Sequence, residues 1–321
     1  MRLTRRATLA AFAAAPAIAR AQPAWSPTQP VRIIIPFTPG GTMDPVARIA
    51  LPFLEQDLGR PVVLEHKPGG ATIVGSQEVA RAAPDGHTML MMANSFAANI
   101  TLRPSMPYNP VRDFAPICMA TVVPHVLAIP PSVAPTFQAF LDVARRPGQG
   151  VAFGSYGIGT SNHLGGEQYK LNAGLNATHV PYSGSPQANT DLMGNRIQFL
   201  FANLPDMIQP VQTGQVRAIA ISAERRVREL PDVPTMAEVG FPLILSDSWF
   251  GLMTRADVPA AARARLEAAW ISALNRPEVK TRLEEQGFTV LARPAVQFGE
   301  EIRRYAEVYA QVIRSANIRV E

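Results

Sequence analysis

Val31-Arg32-Ile33-Ile34-Ile35-Pro36-Phe37-Thr38-Pro39-Gly40-Gly41-Thr42-Met43-Asp44-Pro45 is the stretch whose reading decides the fold. The apolar run at its start predicts a buried strand over 31–37. Asp44-Pro45 supplies an N-cap and a proline at the first helical position. Val46, Ile49, Phe53, Leu54 and Leu58 then follow at helical spacing, and Gly59 ends the helix. A strand, a glycine loop and a helix in that order aim backbone N–H groups and the positive end of a helix dipole at one spot. The same order recurs at 151–153, where a short apolar run enters Gly154-Ser155-Tyr156-Gly157-Ile158-Gly159-Thr160-Ser161 and a helix over 161–171 follows. Two such junctions point to two halves of one site for a small anion. Neither loop carries Lys, Arg or Cys, and the pair holds one carboxylate, Asp44. Binding is favoured over chemistry.

Outward from these loops the pattern is strand and helix in alternation. After the first helix come a strand over 61–65, a loop at Gly69-Gly70, a helix at 76–83 and a strand at 87–93. Short apolar strands in β-α-β-α-β order predict a parallel sheet covered on both faces. The pattern restarts after the proline-rich stretch 124–135: helices at 137–146, 161–171, 187–193 and 207–212 alternate with strands at 151–153, 177–180, 197–201 and 216–222. Residues 246–253 read as a strand returning to the first half, and the remainder as helices over 259–274, 279–286 and 296–315. On the last helix Phe298, Ile302, Tyr305, Tyr309, Val312 and Ile313 share one face, which marks a packing helix. The fold class expected is α/β with two lobes, 28–124 plus 246–321 and 125–245. Two crossings near 122–130 and 242–250 make a hinge, with the ligand cleft between the lobes.

The first 21 residues stand apart. Arg2, Arg5 and Arg6 precede an apolar segment from Leu9 to Ala19, and Ala19-Arg20-Ala21 is a small-x-small site. This is the layout of a secretory signal peptide cut after Ala21, with a twin-arginine character in Thr4-Arg5-Arg6-Ala7-Thr8-Leu9. The chain carries 30 Lys and Arg against 25 Asp and Glu, and four of the 30 sit in that leader, so the exported part is close to neutral. Nucleic acid and anionic membrane lose their main support as partners. Cys118 is the only cysteine, so no internal disulfide is expected in an exported chain, and its apolar neighbours make it a core residue.

Catalytic and cofactor motifs fail one by one. Gly154, Gly157 and Gly159 do not make a dinucleotide fingerprint, and no Gly-Lys-Ser/Thr tripeptide exists. The nearest nucleophile elbow, Gly159-Thr160-Ser161-Asn162-His163, ends in histidine, and Ser161 stands where a capping hydroxyl belongs. His66, His87, His125, His163 and His179 lack metal-ligand spacing, so neither metal nor cofactor is expected. Glu284-Glu285 and Glu300-Glu301 read as solvated helix faces. Phe37 and Asp44 lie where ligands sit in open αβ sheets, at a strand's carboxyl edge. His163, on the first turn behind the second loop, is a candidate contact.

With these residues in view, the chain resembles the solute-binding receptors of tripartite tricarboxylate transporters, the Bug-type proteins. The 36–44 loop followed by Ala47-Arg48 is similar to the family's opening motif. Glu65-His66-Lys67-Pro68-Gly69-Gly70, Ala83-Pro84-Asp85-Gly86-His87-Thr88 and Gly154 to Thr160 with His163-Leu164 match further blocks. So do His179-Val180-Pro181-Tyr182-Ser183-Gly184, Leu230-Pro231-Asp232-Val233-Pro234-Thr235 with Glu238-Val239-Gly240, and Trp249-Phe250-Gly251. The resemblance runs from about Pro30 to Gly287. It implies a two-lobed periplasmic binding fold that closes on a small organic acid through backbone N–H groups and waters. Its ligand contacts would be Phe37, Thr38, Gly41, Thr42 and Asp44, then Ser155, Gly157, Gly159, Thr160 and His163, with Ser95, Ser183, Gly184 and Asn203 beside them. Its partners would be a large and a small integral membrane subunit, and the receptor a monomer in the periplasm. The chain departs from the family at His66-Lys67-Pro68-Gly69-Gly70-Ala71-Thr72, commonly Asn-Arg-Pro-Gly-Ala-Gly-Gly. It departs again at Ala202, commonly Asp, whose loss favours a more apolar or more anionic ligand.

The reading that follows is an exported receptor without catalytic activity. Its rivals are an exported serine hydrolase built on Ser161, His163 and a carboxylate such as Asp44, and a sensor component with no transporter.

Overall fold

The computed structural model describes residues 25–320 apart from 149, 243 and 245. The expected signal peptide and its cleavage site lie outside the described residues. In the first half of the chain, β1 (Val31–Ile35), α1 (Met43–Leu58), β2 (Val62–His66), α2 (Ile73–Arg81), β3 (Thr88–Ala93) and α3 (Ser95–Leu102) alternate. A long strand, β4 (Phe114–Ile129), leads into α4 (Phe137–Ala144), β5 (Val151–Ser155), α5 (Ser161–Ala173), β6 (Ala177–Pro181), α6 (Ser185–Met193), β7 (Phe199–Asn203), α7 (Leu204–Gln212) and β8 (Arg217–Ser222). The chain returns through β9 (Asp247–Arg255) and ends with α8 (Ala260–Leu274), α9 (Pro277–Glu284), β10 (Thr289–Pro294) and α10 (Ala295–Ser315).

Two parallel triplets organise the sheet. β2, β1 and β3 run together in one, and β6, β5 and β7 in the other. β9 and β4 lie between them, antiparallel to their neighbours, giving the order β2-β1-β3-β9-β4-β7-β5-β6. β4 crosses from one triplet to the other. Its first part pairs with β9 and β10, and from His125 onward it pairs with β7 and β8. Pro124, expected to belong to a proline-rich break, falls at that handover, where a residue without an N–H costs little ladder bonding.

Strand residues alternate between two cores on each side, as the period of two requires. Ile33, Ile35, Met89 and Met91 pack with α1, α8 and α9, while Ile34, Leu90 and Met92 pack with α3 and α10. Phe199 and Phe201 join Phe140 and Tyr169 on one face, and Leu200 and Ala202 join Leu192 and Met207 on the other. Cys118 is buried in the first of these cores, and burial pushes its thiol pKa up. Phe298, Ile302, Tyr305, Tyr309 and Ile313 bury one stripe of α10, as the spacing predicts.

Four local expectations need correction. Residues 95–102 form α3, a helix that the periodicity hid because it is apolar on nearly every side. Residues 289–294 form β10, a partly exposed edge strand inside a stretch read as helical. The first helix begins at Met43, because Asp44 N–H donates to Gly41 carbonyl at 3.0 Å and closes the turn early. Asp44 therefore sits inside the helix, and its carboxylate takes the Gly40 N–H at 3.0 Å instead of capping. In α5 the capping hydroxyl is Thr160, which accepts from His163 N–H at 3.4 Å, and Ser161 is the first helical residue.

Candidate functional site

Each parallel strand hands the chain to a helix at its carboxyl end, and those ends meet. One cavity is walled by Thr42 and Met43 ahead of and opening α1, Asn94 and Ser95 at α3, Thr160 to Asn162 at α5, Ser185 at α6 and Asn203 at α7. Among the described residues five helix N-termini converge on it, and no Lys or Arg lines it. Four of the five, α1, α3, α6 and α7, carry no side-chain cap, although in α1 the Asp44 N–H is already taken by the Gly41 carbonyl. Each terminus favours an anion by roughly 0.3–1 kcal/mol, and up to about 2 where partly buried. Ile35, Phe37, Ala93 and Phe250 make the apolar wall. The cavity is small, about 40 Å³, room for roughly three waters.

A hydrogen-bond network ties the two sides together beside this cavity. Thr42 Oγ1 donates to Asp206 Oδ2 at 2.8 Å and accepts from Asn203 Nδ2 at 2.7 Å. Tyr156 OH donates to the same Asp206 oxygen at 3.0 Å. Burial raises the Asp206 pKa, and the bonds from Thr42, Tyr156, Ser185 and Asn189 oppose that rise. Asp44, 7% exposed, is held by the Gly40 N–H, with Arg48 Nη2 at 3.6 Å and His66 Nε2 at 3.5 Å. Ser95 is fully buried, and its Oγ has no partner among the described residues.

Behind the cavity, on the crossing strands, His125 is fully buried. Its Nδ1 lies 2.8 Å from Ser246 Oγ and its Nε2 lies 2.9 Å from Ser248 Oγ. Ser161 Oγ is 2.8 Å from Ser248 Oγ and 3.4 Å from His125 Nε2. Burial lowers the His125 pKa to about 3. Hydroxyls and the Asn162 side-chain amide, 3.3 Å from Nε2, surround this imidazole, and no carboxylate among the described residues orients it.

Of the residues singled out in the sequence, Phe37, Thr38, Gly41, Thr42, Asp44, Ser95, Thr160 and Asn203 line the cavity. Gly157 and Ser183 line a neighbouring void, together with Phe37. Ser155, Gly159, His163 and Gly184 line neither. Ser155 Oγ is 2.7 Å from His179 Nε2. His163 Nδ1 accepts the Gly159 N–H at 3.2 Å, and its ring stacks on His179 at 3.9 Å. Gly184 brings its backbone against Thr38: a Cβ there would lie 2.5 Å from Thr38 Oγ1. Sequence reasoning missed Asn94, Asn162 and Ser185, all at strand-to-helix junctions. A search for small polar residues at every such junction would have found them. Ser248, in the middle of a returning strand, carries no such signal.

A two-lobed α/β protein whose cleft is walled by helix N-termini is a solute-binding receptor in class, and comparison with known proteins agrees. Residues 46–318 match the family described as "Tripartite tricarboxylate transporter family receptor". The chain is 33% identical over 290 residues to protein BugT of Bordetella pertussis, covering 88% of this chain and 89% of that one. It superposes on MatC from Rhodopseudomonas palustris with bound malate at a TM-score of 0.84 and 27% identity, covering 89% of this chain and 99% of that one. It superposes on R. palustris Rpa4515 with adipate at a TM-score of 0.87 and 26% identity, covering 91% of this chain and 99% of that one. The chain belongs to the tripartite tricarboxylate transporter receptor family.

Proposed function

We propose that this receptor is exported to the periplasm after cleavage at Ala21 and binds a small carboxylate in the cavity at the helix N-termini. It performs no catalysis, and it delivers its solute to the large and small integral subunits of a tripartite transporter. The observation that carries this reading is the convergence of five helix N-termini on one cavity without a cationic side chain. Such a site suits an anion whose charge is spread over two oxygens and is met by N–H groups. The relatives solved with malate and adipate support a carboxylate as the class.

The lobes that close are 28–124 plus 246–321 and 125–245, hinged at β4 and β9. A cavity with room for a few waters is too small for a four- to six-carbon acid, so the lobes part to admit it. No helix among the described residues is long and apolar enough to cross a membrane, and no group of three metal-binding side chains occurs among them.

The test is thermal unfolding of residues 22–321 against mono-, di- and tricarboxylates, aromatic acids and amino acids. A ligand at about 100 times its dissociation constant adds roughly 2.7 kcal/mol, a shift of several degrees. A shift confined to carboxylates supports the reading. A shift confined to uncharged or cationic solutes overturns it.

A further inference from the structure

Two buried acceptor atoms face each other behind the cavity wall. His66, the last residue of β2, sets its Nε2 3.5 Å from Asp44 Oδ1, and neither atom has a hydrogen-bond partner among the described residues. The remaining polar atom of each side chain is already engaged. His66 Nδ1 lies 3.0 Å from the Phe37 carbonyl, and a carbonyl only accepts, so Nδ1 carries the hydrogen. In the neutral ring Nε2 is then a bare lone pair, aimed at a carboxylate oxygen that also only accepts. Asp44 Oδ2 takes the Gly40 N–H at 3.0 Å. Two opposed buried acceptors are destabilising, and one proton on Nε2 turns the contact into a charge-assisted pair. Phe37 and Asp44 both line the cavity, so His66 stands directly behind two residues of its wall.

The other charges nearby do not meet this need. Arg48 Nη2, on the same helix as Asp44, is 3.6 Å from Asp44 Oδ2, but its side chain is 60% exposed and screened by water. Glu65 and Lys67, the neighbours of His66 in the chain, alternate to the other face of the strand. There they join Arg32 of β1 and Glu78 of α2, with Arg32 2.6 Å from Glu65 and Lys67 3.5 Å from Glu78. The residue beside His66 on β1 is the uncharged Ile35. His66 also lies in the segment where the chain departs from its family, so the pair belongs to this receptor.

We propose that His66 is the counter-charge of the site: its Nε2 takes a proton from solvent as an anion enters the cavity, cancelling the charge of Asp44 on the wall. The proposal rests on the carboxylate reading above and adds one proton to each solute bound. Imidazole is the side chain whose ordinary titration falls between about pH 5 and 8. One linked proton changes affinity by at most about tenfold per pH unit, and affinity rises as pH falls. Burial holds His125 and His179 at about 3 and His163 at about 4, below this window. His87 precedes β3, at the opposite end of that strand from the cavity-lining Ala93.

Isothermal titration of residues 22–321 with malate and with adipate tests it, at about pH 6, 7 and 8 and in two buffers of different ionisation enthalpy. Affinity is expected to be at least about threefold higher at pH 6 than at pH 8, with net proton uptake at pH 7. His66→Asn keeps an N–H for the Phe37 carbonyl, and is expected to flatten the pH profile and abolish the uptake. A histidine with a structural role only would lower affinity equally at every pH when replaced. Equal wild-type affinity at pH 6 and 8 with no proton uptake overturns the counter-charge and leaves the carboxylate reading standing. Long-range proton–nitrogen NMR spectra of the ligand-free protein decide the pair without any solute, His66→Asn assigning the ring. The hydrogen is expected on Nδ1 alone at about pH 8 and on both nitrogens at about pH 5.5. A bare Nδ1, or a ring still neutral at pH 5.5, overturns the pair. No binding of either acid counts against the carboxylate reading, and the ring spectra then stand as the test of His66.

Discussion

Thr42 Oγ1 donates to Asp206 Oδ2 at 2.8 Å across 164 positions of sequence, and the bond joins the loop before α1 to the first turn of α7. The same hydroxyl accepts from Asn203, so one side chain latches the two halves of the molecule at the edge of the cavity.

Thr42→Val keeps the shape and removes both bonds. A hydrogen bond to a charged group contributes about 1.5–3 kcal/mol, so ligand affinity is expected to fall about ten- to hundredfold. Thr42→Ser should restore most of it. Titration of the three proteins with one carboxylate checks the latch, and equal affinities for Thr42→Val and wild type would sink it.

Asp44 puts a negative charge on the wall of a site proposed to take anions. Asp44→Asn keeps an oxygen to accept the Gly40 N–H and removes the charge. Carboxylate affinity is expected to rise five- to tenfold, on the order of 1 kcal/mol of relieved repulsion. The gain should shrink in high salt. A fall in affinity would show instead that Asp44 accepts a proton donor from the solute.

Ser161 is expected to be inert toward a fluorophosphonate probe. The imidazole within its reach, His125, is held near a pKa of about 3 and is too weak a base at neutral pH to activate a hydroxyl. Its Nδ1 faces Ser246, so no carboxylate among the described residues stabilises an imidazolium. His163, two positions along the helix, already spends Nδ1 on the Gly159 N–H. Labelling at Ser161, located by mass spectrometry of peptides, would contradict this.

Acid should destabilise the fold through two buried histidines, His125 and His163, and the half-buried His179. Burial lowers His125 and His179 to about 3 and His163 to about 4. In the unfolded chain each titrates near 6.5, so below that pH the unfolded state binds more protons. Stability is therefore complete above about pH 6.5 and is lost as pH falls toward 4. Each histidine contributes up to about 1.4 kcal/mol per pH unit in that window. Urea unfolding at several pH values measures the slope. A flat profile between pH 6.5 and 4.5 would mean that these rings are solvated or protonated in the fold.

Much of the lining of the candidate site was legible because the chemistry is local. Thr38, Gly41, Thr42 and Thr160 sit in glycine loops between an apolar run and a helix, and that order alone aims them at a strand's carboxyl edge. Ser95, a candidate that the family resemblance implied at a strand end, lines the cavity, whereas its helix was not read, because α3 is buried on nearly all sides and shows no periodicity. His163 illustrates the opposite case. Its place on a helix's first turn marked it as a contact, yet a second histidine 16 positions later, His179, stacks on it and draws the ring into the interior.

What the sequence by itself determined is the alternation of strands and helices, the glycine loops between them and the lack of cations in those loops. These follow from residue size, period and backbone freedom, which act within a few positions along the chain. Only the tertiary structure decided that five helix starts face one cavity, that β4 carries both triplets, and that Thr42 meets Asp206. Such relations depend on which strand lies beside which. Sheet order is set by the burial of whole faces against one another, an energy shared over the molecule and written at no single position.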